Sequence, residues 1–331
     1  MDSTRVFVYE TTSADPHSAD PALLLQGQAM LDAMVADLAQ VHGVEVTAAA
    51  GNGAASPIVA RVRQARQGRD ESPVDFLRRQ AAAHDLVWVV APETGGLLSS
   101  LRATVADDQW LGCSREAIDI AASKRATSRH LRAAGIAAPL SLSLSSSLSS
   151  YPHSPGVREE CAGYWIVKPD DGCGASGARR HQDYTAALAD SRERRNVVME
   201  HWIDGEPLSL SLLCRCDETE MLAINRQLIS FDQSGWLRFD GVARAEDITD
   251  EQAQAMSLLA AKVVQALPGL SGFVGIDVTW HPDQGPIVIE INPRVTSAYE
   301  GMSAHLRRNL AGEIVAAHRR DLQRRSARRN A

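Results

Sequence analysis

Short apolar runs alternate with amphipathic stretches through the first hundred residues, and this alternation predicts the fold. Val6-Phe7-Val8-Tyr9 reads as a first strand, and residues 22–41 read as a helix with Leu24, Leu31, Met34, Val35 and Leu38 on one face. Gly43 to Val46 reads as a second strand and Leu86 to Val90 as a third. Residues 51–73, rich in Gly, Ala, Arg and Gln with turn signals at Asn52-Gly53 and Ser56-Pro57, have no clear register. Strands alternating with helices predict an open parallel sheet, in which ligands sit beyond the carboxyl ends of the strands. Glu10 and Glu93 fall at such ends.

The pattern then changes. Ser114 to Gly135 is helical, stopped by Gly135 and Pro139, and the Ser/Leu tract Ser141 to Pro155 marks a boundary. Beyond it strands recur: Tyr164 to Lys168, Asn196 to Glu200, Leu208 to Leu213, Leu222 to Asn225, Gly272 to Thr279 and Ile287 to Asn292. Another helix runs from Thr249 to about Leu267, with Gln252 completing a capping box. This second part is expected to be α+β with mostly antiparallel pairing. The last 25 residues carry eight Arg in pairs and predict a solvated closing helix.

With 331 residues at 44% hydrophobic, the chain can bury more than one core, which excludes a disordered tail or a small disulfide scaffold. A net charge of −7 argues against nucleic acid or an anionic membrane surface as partner. The five cysteines are scattered without a CxxC pair, the N-terminus lacks a signal pattern, and no apolar run approaches the ~18 residues of a span. A cytoplasmic protein with reduced thiols is expected, with room for a homodimer. One detail of composition points to chemistry: 31 Arg stand against three Lys, at 124, 168 and 262. If most dispensable lysines have become arginine, the remaining ones are enriched for places where a compact ammonium is required.

Three segments carry candidate chemistry. Gly172, Gly174 and Gly177 in GCGASG match GxGxxG, but no helix opens directly after them, as a dinucleotide fingerprint requires. A glycine-rich loop entered through Lys168-Pro169 fits phosphates of ATP better than NAD, with a plain hairpin turn as the alternative. Near the C-terminus, a hairpin centred between Asp283 and Gln284 sets Asp277 opposite Glu290, with Asn292 two residues further on the same face. Two acids across a partly buried ladder repel, and a divalent cation resolves that conflict; solvent-facing acids are the alternative. Third, a strand ending in Glu200 is followed by Trp202-Ile203 and by Glu206, an arrangement that can grip an adenine edge and a ribose.

In this order the motifs resemble the ATP-grasp ligases: a lysine on a helix, a Lys-Pro strand with a glycine-rich loop, a Glu-x-x-Ile hinge, and a closing Asp…Glu-Ile-Asn-Pro-Arg series. Tyr9-Glu10, Gln28-Ala-Met-Leu31, Ala91-Pro-Glu-Thr-Gly-Gly96 and Asn225-Arg-Gln227 further resemble the tyramine–glutamate ligases of methanofuran biosynthesis and their relatives in methylotrophic bacteria. The resemblance implies a pre-ATP-grasp sheet domain over 1–112, a central ATP-grasp subdomain over 113–202 and a metal-bearing subdomain over 203–331. It implies that Lys124 and Lys168 contact ATP, that Gly172, Gly174, Ala175, Ser176 and Gly177 close over the phosphates, and that Glu200, Trp202 and Ile203 hold adenine and Glu206 the ribose. Asp277, Glu290 and Asn292 would hold Mg²⁺ or Mn²⁺, Arg226 the γ-phosphate and Arg294 an acyl phosphate. Glu10, Glu93 and Thr94 would meet an amine substrate, although either Glu could instead cap a helix or pair with an arginine. The activity implied is ATP-dependent joining of an amino acid, glutamate, to an aromatic amine. A ligase for another amino acid or peptide and a non-catalytic nucleotide-binding protein are the competing readings.

Overall fold

The computed structural model describes residues 3–15, 21–51, 62–143, 163–216 and 218–329. Most of the Ser/Leu tract lies outside these residues, as does Cys161. Strands β1 (Thr4–Glu10), β2 (Val44–Ala49), β3 (Arg63–Ala65) and β4 (Leu86–Val90) form a parallel sheet in the order β3-β2-β1-β4. The continuous apolar runs of β1 and β4 follow from burial on both faces, as expected for parallel strands covered by helices. Helix Pro21–Leu38 covers one face with Met30, Leu31, Met34, Val35 and Leu38.

Two antiparallel sheets follow. The smaller, in the order β6-β5-β7, comprises β5 (Trp165–Pro169), β6 (Arg179–His181) and β7 (Val197–His201). The larger, in the order β10-β9-β8-β11-β12, comprises β8 (Glu206–Cys214), β9 (Thr219–Phe231), β10 (Leu237–Arg244), β11 (Gly272–His281) and β12 (Gly285–Asn292). Helix Asp250–Ala266 packs on the larger sheet with the expected capping box at Thr249 and Gln252. Exposed Lys262 sits on this helix.

Three departures from the sequence pattern have physical causes. The helix expected over 114–135 is two helices, Arg115–Ala121 and Lys124–Ala133, because Ser123 leaves the helical conformation and caps the second through Ala126 N–H. Strand β10 is alternately polar and half-exposed, so it carried no apolar signal. Helix Leu310–Arg329 is solvated only toward its arginine-rich end. Its first turns bury Leu310, Ala311, Ile314 and Val315 in the same core as helix Pro21–Leu38, and Tyr299 Oη donates to buried Asp37 at 2.7 Å. The chain's last described helix therefore closes on the first domain as well as on the larger sheet, whose Leu213, Leu222 and Phe273 share that core.

Candidate functional site

One cleft of about 250 Å³ is lined by residues of all three sheets. The smaller sheet brings Lys168 into it. Lys168 on β5 and Glu200 on β7 point inward from paired strands, both buried, and Lys168 Nζ lies 2.6 Å from Glu200 Oε2. Ser141 Oγ donates to the other Glu200 oxygen. Lys124, in the first turn of helix Lys124–Ala133, reaches across to Gly172 O and to Glu290 Oε1 at 3.2 Å. Burial opposes its charge, but Glu290 more than offsets that and holds the ammonium above its ordinary range.

The glycine-rich segment is the loop of the β5–β6 hairpin, with Val167 opposite Arg179. No helix opens on it, so the dinucleotide reading fails, and a hairpin turn and a glycine-rich loop prove to be the same object. Gly174, Ala175 and Gly177 all have positive φ, which bends the loop over the cleft. Its base is pinned by Asp170, a residue the sequence reading passed over. The Asp170 carboxylate accepts from Ser123 Oγ at 2.8 Å and from Arg125 N–H at 2.9 Å, so it caps the helix that carries Lys124.

The larger sheet supplies the acids. Asp277 pairs with Glu290, Gly275 with Asn292, and Asn292 Nδ2 donates to Asp277 at 3.3 Å. The turn itself is centred on Asp283, one half-step from the expected register, and a bulge at Ile289 restores the Asp277–Glu290 pairing. Burial, and then the Glu290 charge, push the Asp277 carboxyl up to about 7. Among the described residues no group of three His, Cys, Asp or Glu converges as a metal cluster. Two carboxylates and an amide, crowded against each other and facing a phosphate-sized cleft, nevertheless fit a cation such as Mg²⁺ that completes its shell with water and phosphate oxygens.

Trp202, Ile203 and the loop residues Gly172, Gly174, Ala175 and Ser176 line the cleft, but Trp202 N–H is already taken by Tyr164 O at 2.8 Å. Glu206 and Arg226 do not line it. They pair with each other, and Arg226 also holds Asp247 at 3.0 Å. Strand alternation explains this, because Gln227, not Arg226, shares the cleft face with Asp277, and Gln227 hydrogen-bonds that carboxyl. Arg294 lines the cleft with its fork turned to Glu93, Nε to Oε1 and Nη2 to Oε2, both at 2.9 Å. Buried Glu93 is thus an arginine partner, and Thr94 lies outside the lining. Buried Glu10 lines the cleft while accepting from Thr12 and Ser13 N–H.

A parallel-sheet domain followed by two antiparallel sheets that clasp a lysine-rich, acid-faced cleft defines a class, and the sequence agrees. The model of the ATP-grasp domain matches residues 121–298, and that of the pre ATP-grasp 3 domain matches residues 44–118. The chain belongs to the ATP-grasp family. It is 30% identical over 223 residues to tyramine–L-glutamate ligase of Methanocaldococcus jannaschii, covering 67% of this chain and 59% of that protein. The corresponding ligase of Methanocaldococcus fervens is 26% identical over 220 residues, covering 66% of this chain and 61% of that protein. The chain therefore spans about six-tenths of the length of these relatives. Among solved structures, an ATP-grasp superfamily protein from Archaeoglobus fulgidus superposes with a TM-score of 0.70 at 21% identity, over 95% of this chain and 89% of that one.

Proposed function

We propose that this chain is an ATP-dependent carboxylate–amine ligase that joins glutamate to an aromatic amine such as tyramine, in assembly of a methanofuran-type cofactor. The observation that carries the reading is the convergence of Lys124, Lys168, the glycine-rich loop and the Asp277–Glu290–Asn292 face on one cleft. Lys168 and Lys124 would bind phosphate oxygens, the loop would cover them, and Ile203 and Glu200 would border the adenine. Glu206 and Arg226, engaged with each other, would frame the ribose end from outside the cleft rather than touch the γ-phosphate. A divalent cation, Mg²⁺ or Mn²⁺, held by Asp277, Glu290 and Asn292 would offset phosphate charge when bound.

The substrate carboxylate attacks the γ-phosphorus, the bond to ADP breaks, and an acyl phosphate forms. Nitrogen of the amine then attacks the acyl carbon, phosphate leaves, and the amine gives up a proton. Arg294 at the cleft wall would meet the developing negative charge. No covalent enzyme nucleophile is needed; positioning and charge supply the catalysis.

The arm of the cleft formed by the first sheet and helix Pro21–Leu38 supports the amine class. Glu10 stands there with Leu23, Gln26, Gly27 and Met30, and among the described residues the lining from this domain includes no Lys or Arg. Among the described residues no cation pairs with Glu10. An ammonium on an apolar body would complete it, whereas an amino acid would bring a carboxylate that meets no Lys or Arg among the described residues of this arm. Purified protein with ATP, Mg²⁺ and glutamate is expected to release ADP with tyramine and far less with tyrosine. Binding of Mg·ADP without ADP release for any amino acid and amine pair would select the non-catalytic reading.

A further inference from the structure

Glu93 and Gly95 lie two residues apart in one tight turn after β4, and each is held by a different part of the clasp. Glu93 takes the two-donor edge of Arg294, which follows β12, while Arg294 Nη1 donates to Val295 O at 3.3 Å. The direction in which the guanidinium faces the cleft is therefore set by a carboxylate of another domain. Gly95 N–H donates at 2.9 Å to Oδ2 of Asp171, at the base of the glycine-rich loop, and Asn196 Nδ2 holds the other oxygen at 2.8 Å. The turn is short and internally bonded, with Gly96 N–H on Glu93 O at 3.0 Å and positive φ at both Gly95 and Gly96. Such a turn has little freedom to let one end shift without the other.

We propose that Glu93 is a positioning residue for Arg294, and that Asp171 makes this positioning depend on the glycine-rich loop being closed. Closure over the nucleotide then brings the arginine to the reacting carboxyl through the 92–96 turn. The catalytic half of this statement rests on the ligase reading above; the mechanical half does not.

The pair is buried, and breaking it can destabilise the fold, so two gentler variants accompany Glu93→Gln. Glu93→Asp keeps the charge, and Asp171→Ala removes the links to Gly95 and Asn196 while leaving the Glu93–Arg294 pair itself untouched. With turnover followed by ADP release and affinity by Mg·ADP titration, Glu93→Gln and Asp171→Ala are each expected to lower kcat about tenfold or more, with the ADP Kd within about threefold. Glu93→Asp should recover part of the loss, and the double variant should fall little below Glu93→Gln alone, because both changes cut one chain of contacts. Unchanged kcat in Glu93→Gln overturns the positioning role, and multiplied losses in the double variant overturn the coupling. If the wild type turns over no amino acid and amine pair, the ligase reading fails and hydrogen exchange still decides the mechanical half. With Mg·ADP bound, the Gly95 amide should be protected in the wild type and in Glu93→Asp, and lose protection in both Asp171→Ala and Glu93→Gln. Protection that survives Glu93→Gln overturns the coupling.

Discussion

Lys168 Nζ lies 2.6 Å from Glu200 Oε2, with both side chains buried between paired strands of the smaller sheet. A buried charge of either sign left alone costs several kcal/mol, so each residue depends on the other even before a nucleotide arrives. Removing the ammonium therefore has two effects that different substitutions can separate.

Lys168→Ala is expected to abolish ADP release and also to destabilise the protein by about 3 kcal/mol, because Glu200 loses its counter-charge. Lys168→Arg keeps a cation for Glu200 and should melt within a few degrees of the wild type, yet lose at least about tenfold in turnover, since a planar fork cannot replace a compact ammonium. Thermal melting with ADP release checks both. Full activity in Lys168→Arg would also remove the argument from the scarcity of lysine.

The acid face predicts a pH-dependent response to cation. The Asp277 carboxyl is pushed up from its ordinary value near 4 to about 7, so the folded protein binds its proton where the unfolded chain has released it. This group's contribution to stability is present below pH 4 and is lost as pH rises through about 7. A cation bound to the ionised pair reverses that loss. Added Mg²⁺ should raise the melting temperature more at pH 8 than at pH 5.5, and chelator should lower it in the same order; equal shifts at both pH values would refute the site. Asp277→Asn should abolish the difference.

Gly27→Ala tests the amine arm. A methyl at this position would stand 2.3 Å from Glu10 Oε2. Alanine in a helix interior ordinarily adds up to about 1 kcal/mol relative to glycine. Here the contact with Glu10 should cancel that gain, and the KM for the amine should rise about tenfold or more with the Mg·ADP Kd unchanged. A stabilised variant with an unaltered KM would place the amine elsewhere.

Arg226 and its neighbour separate surface from site. Arg226, on β9, pairs with Glu206 and Asp247 outside the cleft, and such solvent-screened pairs add little stability. Arg226→Ala should leave kcat within about threefold. Gln227→Ala removes a hydrogen bond to Asp277 and should increase the Mg²⁺ concentration needed for half-maximal activity. The reverse pattern would restore Arg226 as a phosphate contact.

Much of the fold was legible because its signals are local. The runs of β1 and β4 and the Thr249–Gln252 capping box depend on near neighbours in sequence. The Asp277–Glu290 pairing was legible for a partly fortuitous reason: the turn lies half a step from its expected centre, and a bulge at Ile289 compensates. Bulges leave no mark in an apolar pattern, and neither do polar strands such as β10.

The chain alone therefore determined which residue types were available: three scarce lysines, a glycine-rich segment, and an acid pair with an amide. It also determined the alternation of strands and helices that carries them. Tertiary structure decided which of the candidates meet. It turned Glu93 to Arg294 and Glu10 to the amides of Thr12 and Ser13, and it turned Arg226 away from the cleft in favour of Gln227. It also folded the last helix into a core shared by the first domain and the larger sheet. The physical reason is that periodicity assigns a side chain to a face, while its partner is set by contacts between residues two hundred or more positions apart, through charges that must be neutralised once water is excluded.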